Sequence, residues 1–171
     1  FPYTTLFRSN TIKNTTKTES VGLYEGSHDV TFSGEGHVVM DMLYYYGATA
    51  IIMAHNNNVA VRGINFRNYL GHHFMEINSS QNVVVENNTF VGSKFTGDSD
   101  DHKEAINIDT PDSNTGGLNL AWVKHDRTPI NNVIIKNNSF ENVLRAIGSH
   151  KYSVSLYDGM TQVYHQGLQI L

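Results

Sequence analysis

The 171-residue sequence predicts an all-β solenoid, in which short strands wind into stacked turns, and three observations predict it. The first is a recurring phrase. It reads Asn58-Val59-Ala60-Val61-Arg62-Gly63-Ile64-Asn65-Phe66, then Asn82-Val83-Val84-Val85-Glu86-Asn87-Asn88-Thr89-Phe90, then Asn132-Val133-Ile134-Ile135-Lys136-Asn137-Asn138-Ser139-Phe140. A shorter copy opens at Asp29-Val30-Thr31-Phe32, and Gly167-Leu168-Gln169-Ile170 begins another; the leading apolar residues are separated by 29, 24, 50 and 35 positions. A basic turn of about two dozen residues, lengthened by insertions, explains all four steps. The second observation is a period of two within these phrases, which marks strands with one buried face. The third is composition: 19 Asn and 27 Val plus Ile stand against 10 Leu and 3 Pro. That balance favours β-branched strands joined by Asn-rich bends. No segment sustains a 3.6-residue period, so leucine-rich and helical repeats are disfavoured.

Taken in order, Phe1-Pro2-Tyr3-Thr4-Thr5-Leu6-Phe7-Arg8-Ser9 reads like the translation of a widely used DNA sequencing adapter. Residues 1–9 are therefore expected to lie outside the fold, as expression scars do. Residues 10–19 form a lead-in, and the solenoid is expected over 20–171, incomplete at both ends, with insertions at 93–103, 110–129 and 151–164. Each turn carries a second alternating run upstream of the phrase, at 50–54, 74–78, 105–109 and 146–150. Neither run can bury its apolar face alone, but stacked turns do so jointly. Ile51, Met75, Ile106 and Ile147 are expected in one inward row. Phe66, Phe90 and Phe140 should form an aromatic stack, and Asn88 and Asn138 an amide ladder at the bend.

Charge and cysteine usage exclude several functions. Twelve Lys plus Arg against 16 Asp plus Glu give a net charge of −4, which favours neither nucleic acid nor an anionic lipid surface as partner. A polyanionic partner needs a local basic patch. With no cysteine, disulfides and thiolate metal sites are impossible. A charged fraction of 16% with 39% hydrophobic residues excludes a disordered tail, a coiled coil and a membrane-spanning bundle.

Gly71-His72-His73-Phe74-Met75-Glu76-Ile77, Glu104-Ala105-Ile106-Asn107-Ile108-Asp109 and Arg145-Ala146-Ile147-Gly148-Ser149-His150-Lys151-Tyr152 continue the pattern. With the Asn-Asn-Thr-Phe phrase, residues from about 20 onward resemble the right-handed parallel β-helix domains of the pectate-lyase-like superfamily. The resemblance implies a bacterial or phage protein, extracellular or on the cell surface, that faces polysaccharide as a lyase, hydrolase, epimerase or adhesin. It implies a trimer if the domain is a phage-like shaft.

Stacking the turns sets residues of consecutive turns about 4.8 Å apart in rows. One outward row is Ala54, Asn78, Asp109, His150; the next is Ile52, Glu76, Asn107, Gly148; a third, at the strand starts, is Thr49, His73, Glu104, Arg145. The long insertions flank these rows, and the second supplies Trp122 and Lys124 as an aromatic platform and a cation. For glycoside hydrolysis, Glu76 and Asp109 are expected about 8 Å apart, within the inverting range, with Asp109 beside His150 as the base. Asn107-Ile108-Asp109 and Gly148-Ser149-His150-Lys151 are loosely similar to polygalacturonase motifs. For elimination beside a uronate carboxylate, Arg145, Lys151 or His150 supplies the base, and Glu76, Asp109 and Asp112 are candidate ligands for Ca²⁺. Asp100-Asp101-His102-Lys103-Glu104 is similar to the Asp-Pro-His-Glu motif of alginate epimerases, without its proline. His73, Glu104, Asn107, Trp122 and Lys124 are then the substrate-binding set.

Plainer roles compete at each position. Arg145 above Glu104 is read first as a salt bridge between turns, the Asn residues as ladder amides, and Trp122 as closing the insertion over the core. The leading expectation is lyase-type cleavage of an acidic or complex polysaccharide, with a non-catalytic glycan-binding adhesin or tail-spike-like shaft as the alternative and an inverting glycoside hydrolase as the third.

Overall fold

The computed structural model describes residues 21–94, 104–110, 120–149 and 164–171. Residues 1–9, the lead-in and large parts of the three insertions lie outside them. Eleven strands are present among the described residues: β1 His28–Asp41, β2 Ile51–Ala54, β3 Asn57–Leu70, β4 Met75–Asn78, β5 Gln81–Glu86, β6 Thr89–Lys94, β7 Glu104–Asp109, β8 Asn131–Lys136, β9 Ser139–Glu141, β10 Arg145–Ser149 and β11 Gln166–Ile170. Every pairing between them is parallel. One sheet runs β2, β4, β7, β10. In the other, β1 runs along both halves of β3 on one side; on the opposite side β5, β8 and β11 continue from its first half and β6 and β9 from its second. The chain alternates between the two sheets and returns each time one strand further along, so it coils.

The registers follow the sequence alignment of the turns. Val30, Val59, Val83, Val133 and Leu168 are paired in succession. Ile51, Met75, Ile106 and Ile147 likewise form one row. The phrase itself holds two strands rather than one, because the chain bends at Asn87-Asn88 between β5 and β6, and at Asn137-Asn138 between β8 and β9. Ser93 and Lys94 pair with Tyr69 and Leu70, so β6 includes the first two residues of the expected first insertion.

The corners explain the asparagine content. Asp29, Asn58, Asn82, Asn132 and Gly167 occupy one position of successive turns, with φ of 56°, 56°, 54°, 52° and 61°. Gly63, Asn87 and Asn137 hold the next corner at 65°, 56° and 53°, and Asn68, Gly92 and Asn142 the one after it at 64°, 84° and 51°. A Cβ destabilises this left-handed region, and Gly, Asn and Asp are the residues that enter it at least cost. These corners therefore carry such a residue in most turns, whereas His55 and Ser79 bend at 59° and 40° without one.

Between the corners the core closes. Phe66 and Phe90 stack with centroids 5.0 Å apart and an interplanar angle of 6°; Phe90 and Phe140 repeat this at 5.0 Å and 12°. Asn88 turns inward: its Nδ2 donates to the Val61 carbonyl at 3.0 Å and to Asn138 Oδ1 at 3.0 Å, while its Oδ1 accepts the Ile64 N–H at 3.0 Å. Asn138 repeats the bond to the Val85 carbonyl at 2.9 Å. The ladder satisfies buried backbone groups that the bend removes from the sheets.

Candidate functional site

The predicted residues come together on the sheet of β2, β4, β7 and β10. Asn78 pairs between Ala54 and Asp109, and the Glu76–Asn107 pair is flanked by Ile52 and Gly148. Arg145 pairs with Glu104, whose backbone carbonyl accepts a 2.7 Å hydrogen bond from His73 Nδ1. Asp112, His150 and Lys151 lie outside the described residues.

The expectation that these rows form an exposed face needs correction on β4 and β7, whereas Arg145 on β10 is exposed. His73 is 2% exposed, Glu76 4%, Glu104 5%, Asn107 1% and Asp109 3%. Alternation along a strand fixes which face a side chain takes, but not whether that face meets water. Here β4 and β7 are buried on both faces.

Within this layer the polar groups face each other. Arg145 Nη1 donates to Glu104 Oε1 at 3.1 Å, so the inter-turn salt bridge is present. Glu104 Oε2 lies 3.9 Å from His73 Nδ1, and Glu76 Oε1 lies 3.7 Å from His73 Nε2. Asp109 Oδ1 accepts its neighbour's N–H, from Thr110, at 2.7 Å. Asn78 Nδ2 donates to the Met53 carbonyl at 3.1 Å, whereas Asn78 Oδ1 and both amide atoms of Asn107 are buried without a hydrogen bond. Each such orphan costs about 1–3 kcal/mol.

Of the three candidate Ca²⁺ ligands, Glu76 and Asp109 are among the described residues and Asp112 is not. A hard cation needs several converging oxygen ligands. Among the described residues no three His, Asp or Glu side chains converge to hold an ion.

Trp122 and Lys124, expected as an open wall, belong to a strap. The Val21 N–H donates to the Trp122 carbonyl at 2.8 Å and the Lys124 N–H to the Val21 carbonyl at 2.9 Å. Trp122 is half-buried with its indole nitrogen enclosed; Lys124 is exposed. Fully buried His55 joins the pieces, its Nδ1 2.7 Å from the Leu23 carbonyl and its Nε2 2.9 Å from the Lys124 carbonyl. Asp126 holds the far side: it accepts from the Leu23 N–H at 2.8 Å and from the Thr128 hydroxyl at 2.7 Å. Burial pushes the Asp126 carboxyl up, but the hydrogen bonds from Leu23 and Thr128, with His55 nearby, outweigh it and hold it below the usual carboxylate range.

Sequence reasoning left two features unassigned. His165, just before β11, takes the Ile130 N–H on its Nδ1 at 3.2 Å; burial lowers its pKa and the nearby Asp109 charge partly opposes this. The run Tyr44-Tyr45-Tyr46 forms an exposed corner ahead of β2, with Leu43, Tyr45 and Tyr46 at 60%, 75% and 62% exposure. Three adjacent tyrosines between two predicted strands, closed by Gly47, were the signal for it.

No protein-family model and no curated protein sequence matches the chain. The fold is similar to the crystal structure of PfbA, a surface adhesin of Streptococcus pneumoniae, with a TM-score of 0.67 and 24% identity. The match covers 84% of this chain and 34% of the adhesin, so the likeness is to one part of a longer protein and is a likeness of fold. No helix among the described residues is long and apolar enough to cross a membrane.

Proposed function

We propose that the chain is a stretch of right-handed parallel β-helix from a cell-surface protein that binds glycans without cleaving them. One observation carries this reading: Glu76 and Asp109, the carboxylates that hydrolysis would pair, are buried and turned toward neighbouring protein groups, and Arg145, one of the three bases that elimination could use, is engaged by Glu104. An inverting pair must flank the scissile bond with room for water. Buried carboxylates at hydrogen-bonding or near-contact distance from protein groups leave no such room. The fold likeness to a surface adhesin supports the same reading, and right-handedness follows from the strong chirality preference of parallel crossovers.

The test is to incubate the protein with acidic and neutral polysaccharides while measuring ultraviolet absorbance of unsaturated products, new reducing ends and retention on immobilised glycan. Retention without either product is expected. Either product, abolished by Asp109→Asn, would overturn the non-catalytic reading.

A further inference from the structure

Resting on that glycan-binding reading, we propose that the corner at Leu43 to Tyr46, with Lys94, is the binding site, and that it takes an acidic polysaccharide strand across adjacent turns. The other turns put Asn68, Gly92 and Asn142 at this corner, whereas in the first turn Leu43 and Tyr44 adopt left-handed φ of 53° and 54°. Bulky side chains pay about 1–3 kcal/mol each for this conformation, and it persists only where the surroundings enforce it. The enforcement is visible: the N–H groups of Met42, Tyr44 and Gly47 donate to the carbonyls of Arg67, Asn68 and Leu70 at 2.8, 2.7 and 3.0 Å, and the Leu43 N–H donates to Asp41 Oδ1 at 2.8 Å. The corner is thus held in shape before any ligand arrives, which lowers the ordering cost of binding.

Its surface suits a sugar ring. A pyranose offers a flat array of C–H groups ringed by hydroxyls, and a phenol offers a flat apolar ring with one polar tip. Tyr46 lies against Gly71, where a Cβ would stand 2.7 Å from its ring, yet remains 62% exposed; Tyr45 is 75% exposed. Lys94 Nζ sits 3.9 Å from the centroid of the Tyr44 ring, and among the described residues no ion pair neutralises it. That ammonium is the local positive charge a polyanion needs on a chain of net charge −4.

Tyr46, Leu70 and Lys94 are paired in succession, so the backbones of Tyr46 and Lys94 are two strand spacings, or about 10 Å, apart along the stack, with the Lys94 ammonium over Tyr44. This is roughly the reach of two sugar residues, one stacked on a tyrosine and the next presenting its carboxylate to Lys94. A stable protein partner would need about 800 Å² on this side, far more than a single corner.

Affinity for polygalacturonate, hyaluronate and a neutral glucan, measured by calorimetry, tests the site in the wild type, Tyr45→Ala, Lys94→Gln and Trp122→Ala. The proposal expects binding to the acidic polymers, a loss of about tenfold or more in Tyr45→Ala, and in Lys94→Gln a weaker affinity that no longer falls with added salt. The high exposure of Tyr45 leaves the fold intact, which an unchanged melting temperature verifies. If the acidic polymers bind but only Trp122→Ala weakens them, the corner is not the site and the glycan-binding reading stands. If no polysaccharide binds, or the tyrosines retain only lipid vesicles or protein, both readings fall.

Discussion

The strands β5 and β8 present Val83, Val85, Val133 and Ile135 inward and leave the residues between them partly solvated, while every residue of β4 and β7 is buried. Both pairs lie in parallel sheets of the same coil, and both present apolar residues inward at every second position. The difference is the outer face: Glu86 and Lys136 on β5 and β8 meet water as well as each other, whereas Glu76, Asn107 and Asp109 do not. The same inward period of two thus accompanies a solvated outer face in one sheet and a buried polar layer in the other. A buried layer of this kind costs stability wherever its groups lack partners, and it withholds from substrates the residues that look most catalytic.

Several substitutions break or sharpen this contrast. The largest effect belongs to the shared core: Phe90→Ala removes the middle ring of the Phe66, Phe90, Phe140 stack and should cost about 3–5 kcal/mol in chemical denaturation, without changing either outer face. A smaller change of opposite sign is expected in the buried layer. Asn107→Val replaces two orphaned amide atoms by an apolar side chain suited to a strand and should raise stability by about 1 kcal/mol. The equivalent gain is not expected at solvated Asn82, whose amide donates to Asn57 Oδ1 at 3.0 Å and whose oxygen accepts from Asn132. A drop in melting temperature for Asn107→Val would mean that its amide is satisfied in solution.

The smallest effect is a pH dependence. His165 has a folded pKa depressed mainly by burial, so the unfolded chain takes up its proton first as the pH falls. Its stabilising share is present above the ordinary histidine pKa of 6.5 and declines as the pH drops below it. The wild-type melting temperature should therefore fall more between pH 7.5 and 5.5 than that of His165→Gln. Equal slopes would remove His165 from the balance.

How much was legible follows from what repeats. The valine row, the phenylalanine stack and the Asn88 ladder recur at one position per turn, so alignment of the turns placed them correctly. Glu76, Asn107 and Asp109 were placed in the right rows, yet their burial depends on the surroundings of the face, which a period of two does not encode. His55 had no assignable partner because its two carbonyl acceptors lie 32 and 69 residues away in non-repeating segments. Tyr44 to Tyr46 escaped for the same reason: the corner departs from the repeat, and its left-handed backbone at Leu43 and Tyr44 runs against the residue preferences that identify the other corners.

The central claim, that the carboxylates beside His73 are closed to ligands and to water, is tested most directly by labelling. Carbodiimide coupling of an amine to accessible carboxylates of the native protein, mapped by peptide mass spectrometry, should modify exposed Glu35 and Glu141 readily and leave Glu76, Glu104 and Asp109 protected until the protein is denatured. Labelling of Glu76 and Asp109 at the rate of Glu141 in the native state would contradict the account and return these residues to consideration as an open catalytic face.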